Sequence, residues 1–435
     1  MAVAVLSPAS ILKSRADRVV AALDVGSSKV AALIVAVEGD EPPRVLGCGV
    51  RACAGLKRGL VADMGRAEEA IRAAMMQAER AAEREIESVL INLSAGGLAS
   101  SVTSVAIDIA GHRISGADLN RLLAAGREEI AGGQRAQGLS VLHAEPALYT
   151  VDGLDGVTDP VGFHANSLAV DIHVITAATP PCRNLDLAVR NAHLGVDAII
   201  ASGVAAAASV LGEEERELGV ALVEIGAQVT TVTVHGGGVL LGLATLPLGS
   251  NDITADIAAS FSTRRAAAEK LKTLHGAASA VPRDNHDLVD VPPLDPDDGA
   301  EVRRIPRAEL IAVIRGRLDQ LFGEIGGALA AMGFRGPSGR QVVLTGGGAE
   351  LRGIADFAAA ALARSVRIGR PRGLVGLPDA QSTAAYATLA GLVLHGARPR
   401  LDLAHVAPSG GGGSRRSPER RGVFGRLFET LKRQI

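Results

Sequence analysis

Three short segments gather the residue types that hold a polyphosphate. The first runs Leu23-Asp24-Val25-Gly26-Ser27-Ser28-Lys29-Val30. An apolar run ends near Asp24, Gly26 allows close backbone approach, Ser27 and Ser28 offer hydroxyls, and Lys29 adds positive charge. A turn of this kind points successive N–H groups at an anion. It is not a Walker A loop, because no Gly-Lys-Ser/Thr precedes a helix. Taken alone, the segment reads equally as a plain β-hairpin. The second segment, Val223-Glu224-Ile225-Gly226-Ala227-Gln228, repeats the shape in the second half of the chain. Two such hairpins facing one another form a phosphate clamp, with an acidic residue on each near a bound Mg²⁺. The third is Leu344-Thr345-Gly346-Gly347-Gly348-Ala349-Glu350-Leu351. A glycine triplet between a buried strand and a helix lets a ligand lie on backbone, with the helix N-terminus facing an anion or a polar ring. The triplet also serves simply to turn the chain. The order of the three says more than any one of them.

Other chemistries find no footing. The ten histidines are scattered without ligand spacing, so no structural metal is expected. His143 and His173 read as hydrogen-bonding groups of strands or loops. No Gly-x-Ser-x-Gly elbow or Ser/His/Asp order is present. A net charge of −2 gives no global basic field for nucleic acid. Cys48, Cys53 and Cys182 form no Cys-x-x-Cys pair and read as reduced cytosolic thiols. The first twenty residues lack the basic-then-apolar pattern of a signal peptide. Asp24 and Lys29 interrupt the longest apolar candidate, over 19–37, so no membrane span is expected.

The elements that must position these segments follow from periodicity and punctuation. Residues 19–37 read as strand, tight turn, strand. Residues 66–87 have strong helix propensity and give way to a strand at 88–94. A helix over 118–130 has Asp118 as its candidate cap. A strand lies in 166–177, and a helix over 184–195, stopped by Gly195, leads to another strand. Residues 217–249 repeat the strand–turn–strand pattern of 19–50, which suggests a duplicated architecture. A helical stretch covers 251–276. Pro- and Asp-rich residues 277–300 read as a mobile loop. A helix over 308–332 follows. With 47% apolar residues, many of them Ala and Val, and no Trp, the cores should be close-packed and built of small side chains.

The last residues stand apart. Residues 408–420 form a Gly/Ser-rich flexible linker. Beyond it, Val423, Phe424, Leu427, Phe428, Leu431 and Ile435 fall within an arc of about 140° at 100° per residue. Arg426, Glu429, Lys432 and Arg433 fill the rest of the circle, and Arg415, Arg416, Arg420 and Arg421 lie just upstream. A basic amphipathic helix reads as an element that lies on an anionic lipid surface. It also fits docking on a protein partner. Each large apolar residue gains about 1.5–3 kcal/mol only if fully buried. Insertion is partial, so one copy binds reversibly, and several copies in a polymer bind firmly through avidity.

In this order the three motifs resemble the two phosphate motifs and the adenosine motif of the actin/Hsp70/sugar-kinase superfamily. Within it, the chain resembles the FtsA family of bacterial cell-division proteins, from about residue 18 to residue 400 and again at the C-terminal tip. Residues 141–163 and 168–177 are similar to that family's small subdomain and its exit strand. Residues 246–258, 266–276 and 303–322 are similar to its connecting segment and second small subdomain.

The resemblance implies an α/β, actin-like (duplicated ribonuclease H-like) fold, with two lobes of two subdomains around a nucleotide cleft. The first large subdomain would comprise 18–97, 177–215 and 385–400. The FtsA-type small subdomain would be 98–176, placed differently from its actin counterpart. The second large subdomain would be 216–253 and 326–384, and the second small one 254–325. Asp24 would hold Mg²⁺ through water, with Gly26, Ser27, Ser28 and Lys29 at the β- and γ-phosphates of ATP. Glu224, Gly226, Ala227 and Gln228 would form the second phosphate hairpin, with Glu224 the second acidic group near Mg²⁺. Gly346, Gly347 and Gly348 would lie under the α-phosphate and ribose. Glu269 and Lys272, at i and i+3 on one helix face, would reach ribose and adenine; as residues alone they also fit a solvated surface pair.

Two features depart from the family pattern. Glu224 is one methylene longer than the usual Asp, and Gln228 puts a side chain where bare backbone would approach phosphate. ATP binding with weak hydrolysis is the expectation.

The function implied is structural: ATP-bound subunits assembling into filaments at the division septum, on the cytoplasmic face of the inner membrane. They would bind the C-terminal peptide of the tubulin-like ring protein FtsZ, tether it there, and recruit later division proteins. Arg264, Arg265, Arg303 and Arg304 are candidates for the site of that acidic peptide, and also fit ordinary solvated charges. The alternatives are a small-molecule kinase on the same fold, for which no catalytic carboxylate presents itself, and a pilus or filament-assembly relative.

Overall fold

Two runs of small and β-branched residues lay down two sheets of like design. In chain order, β1 (Arg18–Val25), β2 (Lys29–Val37) and β3 (Arg44–Ala52) form an antiparallel meander. A short hairpin, β4 (Leu56–Lys57) and β5 (Leu60–Val61), leads into α1 (Met64–Ala82) and β6 (Ser88–Leu93). There follow β7 (Ala99–Asp108), α2 (Gly116–Ala136), β8 (Leu139–Val151), β9 (Leu154–Val157) and β10 (Ser167–Ala178). The chain returns through α3 (Thr179–Asn191), β11 (Gly195–Ala201) and α4 (Ser202–Val210). This computed structural model describes residues 18–95, 97–295, 302–335, 340–398 and 402–404. The expected linker over 408–420 and tail helix over 421–435, with Val423, Phe424, Leu427, Phe428 and Leu431, lie outside the described residues.

The second half begins with α5 (Glu213–Leu218) and the meander β12 (Val220–Ile225), β13 (Thr230–Gly236) and β14 (Val239–Leu246). Then come α6 (Ser250–Phe261), α7 (Arg265–His275), β15 (Leu288–Val291), β16 (Arg303–Pro306) and α8 (Arg307–Ala331). The described chain continues with β17 (Val342–Thr345), α9 (Ile354–Leu362), β18 (Val366–Ile368) and α10 (Ala387–Ala397). The first sheet has the order β11-β6-β1-β2-β3, and the second, read from its far edge, β18-β17-β12-β13-β14. In each, an antiparallel meander is extended by two strands parallel to its first member. The duplication suggested by the sequence is therefore present in the topology.

Between the sheets' chain segments lies a separate four-stranded sheet, β7-β10-β8-β9, with α2 packed on it. It has its own core, including Leu122, Leu168, Ile172 and, from the far end of the described chain, Leu403. Leu403 donates its N–H to the Ala144 carbonyl at 2.9 Å, and Asp402 accepts the Ala144 N–H at 2.9 Å. The cap of α2 differs from the expected one. Ser115 and Asp118 form a reciprocal pair, with Asp118 accepting the Ser115 N–H at 3.0 Å from within the first turn. Gly195 does not stop α3, which ends at Asn191; it opens β11.

The mobile loop expected over 277–300 is corrected in its described part. Val289, Val291 and Ile305 alternate inward on the β15–β16 ladder and join the core of the second lobe. Asp284 is buried and bound by Arg307 Nη1 at 2.5 Å. The Pro/Asp composition hid a Leu-Val-Asp-Val alternation. Residues 296–300 lie outside the described residues.

Close packing of small residues is most extreme where α10 crosses α4. A Cβ on Gly391 would stand 1.7 Å from the Ala205 carbonyl oxygen and 2.4 Å from its carbonyl carbon. Both helices are buried almost throughout, so neither can retreat toward solvent. Gly391→Ala is expected to destabilise the protein by about 1–3 kcal/mol through overpacking. The readout is a lower denaturation midpoint with an unchanged slope.

Candidate functional site

The turns between β1 and β2 and between β12 and β13 are closed in the same way. Gly26 donates its N–H to the Lys29 carbonyl at 3.0 Å, and Gly226 to the Val229 carbonyl at 2.9 Å. Both turns open on one cleft of about 390 Å³. Its walls include Asp24, Gly26, Ser27, Ser28 and Lys29 from the first lobe, and Glu224, Gly226, Ala227 and Gln228 from the second. Gly346, Gly347, Gly348, Glu269 and Lys272 line it as well. All fourteen residues proposed for nucleotide from sequence thus meet in a single cavity.

Asp24 is oriented by a residue that sequence reasoning missed. Asn92, buried in β6, donates from Nδ2 to Asp24 at 2.8 Å and to the Ser202 hydroxyl at 3.2 Å. Its Oδ1 accepts the Val25 N–H at 2.7 Å, which fixes the amide orientation. Across the cleft the Thr388 hydroxyl donates to Glu224 Oε1. Glu224 Oε2 is buried with no hydrogen-bond partner among the described residues. Burial raises Asp24 from 3.8 to about 6, against the pull of Lys29 and Asn92. Burial, and then the charge of Asp24, raise Glu224 from 4.5 to about 7. Lys29 is lowered by burial, opposed by Asp24 and Glu350. Its ammonium stands 3.4 Å from the centroid of the Tyr386 ring, a cation–π contact.

The glycine triplet follows β17, but the expected helix does not begin there. Residues 347–350 form a single 3₁₀ turn, and α9 starts only at Ile354. Gly346 has φ 84°, and a Cβ there would lie 2.5 Å from the Ile225 carbonyl oxygen, so the triplet lies directly on the end of β12. Glu350, also lining the cleft, accepts the Ala385 N–H at 3.2 Å.

One alternative is set aside and one expectation is revised. Lys272 lines the cleft with its side chain only 8% exposed, which sets aside the solvated surface pair. Its ammonium donates to the Ser250 carbonyl at 3.0 Å and to the Thr254 hydroxyl at 2.8 Å, and pairs with Glu269 at 2.8 Å. Those three contacts match its three donors, and Glu269, held through Oε2 by Lys272 and the Thr254 hydroxyl, is at 45% the more exposed member of the pair. Gln228 does not lay its amide over the cleft floor. Its Oε1 accepts the Arg58 N–H at 2.7 Å.

The four arginines proposed for a partner lie at the start of α7 and on β16 and are exposed. Arg264 bonds the Leu294 carbonyl at 2.7 Å, Arg304 pairs with Asp290 at 3.1 Å, and Arg303 lies over the Phe261 ring at 5.6 Å. Arg265 opens α7. Elsewhere, His143, Glu145 and Asp402 bring ligand-type atoms within 4.8 Å of one another. His143 Nε2 accepts the Ala201 N–H at 3.0 Å, so the ring proton is on Nδ1 and is donated to Asp402 at 3.2 Å. Both ring nitrogens therefore have partners, and the histidine acts as a hydrogen-bonding group.

Twin sheets with twin hairpins converging on one interlobe cleft define an actin-fold protein. The chain superposes on a chain of the PilM-PilN type IV pilus biogenesis complex with a TM-score of 0.60 at 19% identity, covering 87% of this chain and 99% of that one. A family model described as Cell division protein FtsA matches residues 221–391, and another, the SHS2 domain inserted in FtsA, matches 96–176. The cell division protein FtsA of Rhizobium meliloti (strain 1021) is 36% identical over 97% of this chain and 96% of its own length. That of Pseudomonas aeruginosa is 30% identical over 97% and 98%. The chain belongs to the FtsA family of cell division proteins.

Raised carboxyl values make a signed prediction. The folded state binds more protons than the unfolded one between the ordinary values and about 6 to 7. The stabilising contribution of these protons is complete below the ordinary values and is lost as pH rises through the folded ones. Glu224→Gln, uncharged throughout, should therefore gain on the wild type between pH 5 and pH 8, on the order of 2 kcal/mol. Thermal unfolding of both proteins at the two pH values checks it; an unchanged difference would contradict the burial of an ionisable Glu224.

Proposed function

We propose that the protein binds ATP with Mg²⁺ in the interlobe cleft, polymerises on a membrane, and tethers the FtsZ ring there. The observation that carries the nucleotide reading is the convergence of both phosphate-type hairpins on one cavity, with Asp24 and Glu224 at its floor. The donor set suits the cation: two carboxyl groups that resist ionisation while buried, one with an unpartnered oxygen. A divalent ion favours oxygen ligands of this kind and, when bound, neutralises phosphate charge. Asp24, held by Asn92, and Glu224, held by Thr388, would carry it, directly or through water. Ser27, Ser28 and the turn N–H groups would face the phosphates, Lys29 leaving the Tyr386 ring to join them. The glycine triplet and Glu269 would face the nucleoside.

Hydrolysis would be weak. Asp24 and Glu224 would be taken up by the cation as well as by Asn92 and Thr388, and neither would be left to activate an attacking water. A nucleotide-dependent thermal shift tests binding. The shift with Mg-ATP should be larger at pH 8 than at pH 6, because protons and Mg²⁺ compete for the same two carboxyls. Asp24→Asn should reduce the shift severalfold. A rapid Mg-dependent turnover would contradict weak hydrolysis.

Membrane and ring partnership rest on sequence features and family membership. No helix among the described residues is long and apolar enough to cross a membrane. The greasy face of residues 423–431 and the flanking arginines would lie on anionic lipid. Arg264, Arg265, Arg303 and Arg304 would form the basic rim that receives the FtsZ C-terminal peptide, and the 98–176 subdomain would meet later division proteins and neighbouring subunits. Removal of residues 421–435 should abolish flotation with anionic liposomes while leaving FtsZ binding in solution intact. Flotation of the truncated protein at the full-length level would refute the lipid role of the tail.

A further inference from the structure

The hairpin β4–β5 is too short to have a core of its own, yet its tip spans the cleft. Arg58 and Gly59 have φ 51° and 75°, the left-handed pair of a tight hairpin turn. Arginine in that region is strained, so the contacts it makes must hold it there. The Arg58 N–H donates to Gln228 Oε1 at 2.7 Å, and its Nη1 to the Gln228 carbonyl at 3.1 Å. The guanidinium also forks onto Asp252, at 2.7 Å and 2.6 Å. Asp252 is itself fixed, accepting the Gly249 N–H at the start of α6 at 2.8 Å. On the near side, the Gly59 N–H donates to Ser27 Oγ at 3.0 Å. One two-residue tip thus touches a serine of the first phosphate hairpin and the apex of the second. The Arg58 and Asp252 side chains are 39% and 14% exposed, so the pair sits at the rim with its carboxylate largely sheltered. Bidentate pairs of this geometry are the strong ones among ion pairs.

We propose that Arg58 latches the two lobes at the phosphate end of the cleft and so sets how fast nucleotide enters and leaves. The proposal rests on the nucleotide reading of the cleft for its ligand, but the latch itself does not. Separation of the lobes at this end must break the Arg58 contacts to Gln228 and Asp252, all made by one side chain and its own N–H. The same contacts explain the glutamine at 228: its carboxamide receives the latch and is drawn off the phosphate path. Arg58 is a positioning residue, since it is the neighbours Ser27 and Gln228 that line the cavity.

The experiment uses the full chain. Release of a fluorescent ATP analogue, chased by unlabelled ATP with Mg²⁺, is compared in wild type, Arg58→Ala, Asp252→Asn and the double variant. Asp252→Asn keeps an oxygen for the Gly249 N–H. Each single change should speed release about tenfold, the effect of losing about 1.4 kcal/mol of coupling. The double should be no faster than either, and Arg58→Lys should fall between, since an ammonium keeps the charge but not the fork. Release within twofold of wild type in both single variants, or multiplied effects in the double, overturns the latch. A second arm needs no nucleotide. Hydrogen exchange of residues 56–61 should rise about tenfold in Asp252→Asn, while that of 64–82 stays unchanged. If the wild type binds no analogue, the nucleotide reading fails and exchange alone decides the latch. If it binds and exchange at 56–61 is unaltered, the latch fails and the nucleotide reading stands.

Discussion

Two carboxyl groups are placed where neither ionises easily, and the architecture is organised around holding them there. Asp24 and Glu224 are each the last residue but one in the first strand of their sheets. Water is scarce at both positions, and the charge of Asp24 further disfavours ionisation of Glu224. Such a pair is stable as an acid, or with a cation, and poor as a bare dianion. Everything that fixes its position is therefore under constraint: Asn92 beneath one carboxyl, Thr388 beneath the other, and the crossing of α10 on α4 that brings Thr388 within reach.

The duplication gives the two hairpins the same backbone but not the same surroundings. The first is backed by an amide that reads both the Asp24 carboxylate and the Val25 backbone. The second is backed by a single hydroxyl from the other lobe, and its apex is gripped from outside by Arg58. One half of the clamp is thus preset within its own lobe, and the other is completed only when the lobes are together. That asymmetry couples the shape of the second hairpin to lobe closure without any change in the first.

What the sequence disclosed and what it hid divide by distance along the chain. The phosphate-type turns and the glycine triplet were legible because a turn is a local event, written in glycine, serine and the ends of apolar runs. The two sheets were legible because the meander pattern occurs twice. Asn92 and Thr388 were not, since they act on residues 68 and 164 positions away, and a single polar letter in an apolar run carries no address. An asparagine inside Ser-Val-Leu-Ile-Asn-Leu-Ser was the one available hint. Lys272 was placed at the cleft by the family resemblance alone, since a charged residue on a helix face also reads as solvated until Ser250 and Thr254 are seen to close over it. At 277–295 composition misled where alternation was the better guide.

Leu403 gives the small inserted subdomain a mechanical part. This leucine belongs to the subdomain's own core with Leu168, Ile172 and Ile130, and its backbone is stitched to Ala144 of β8, so the last described residues are held by that subdomain. Tension applied to them arrives first at the edge of β8, beside the His143–Asp402 contact. Ser100 of β7 also accepts the Leu243 N–H of β14 at 3.1 Å, so the same subdomain bears on the side of the second lobe. The end of the described chain and the inserted subdomain are therefore fixed to one another as a single piece.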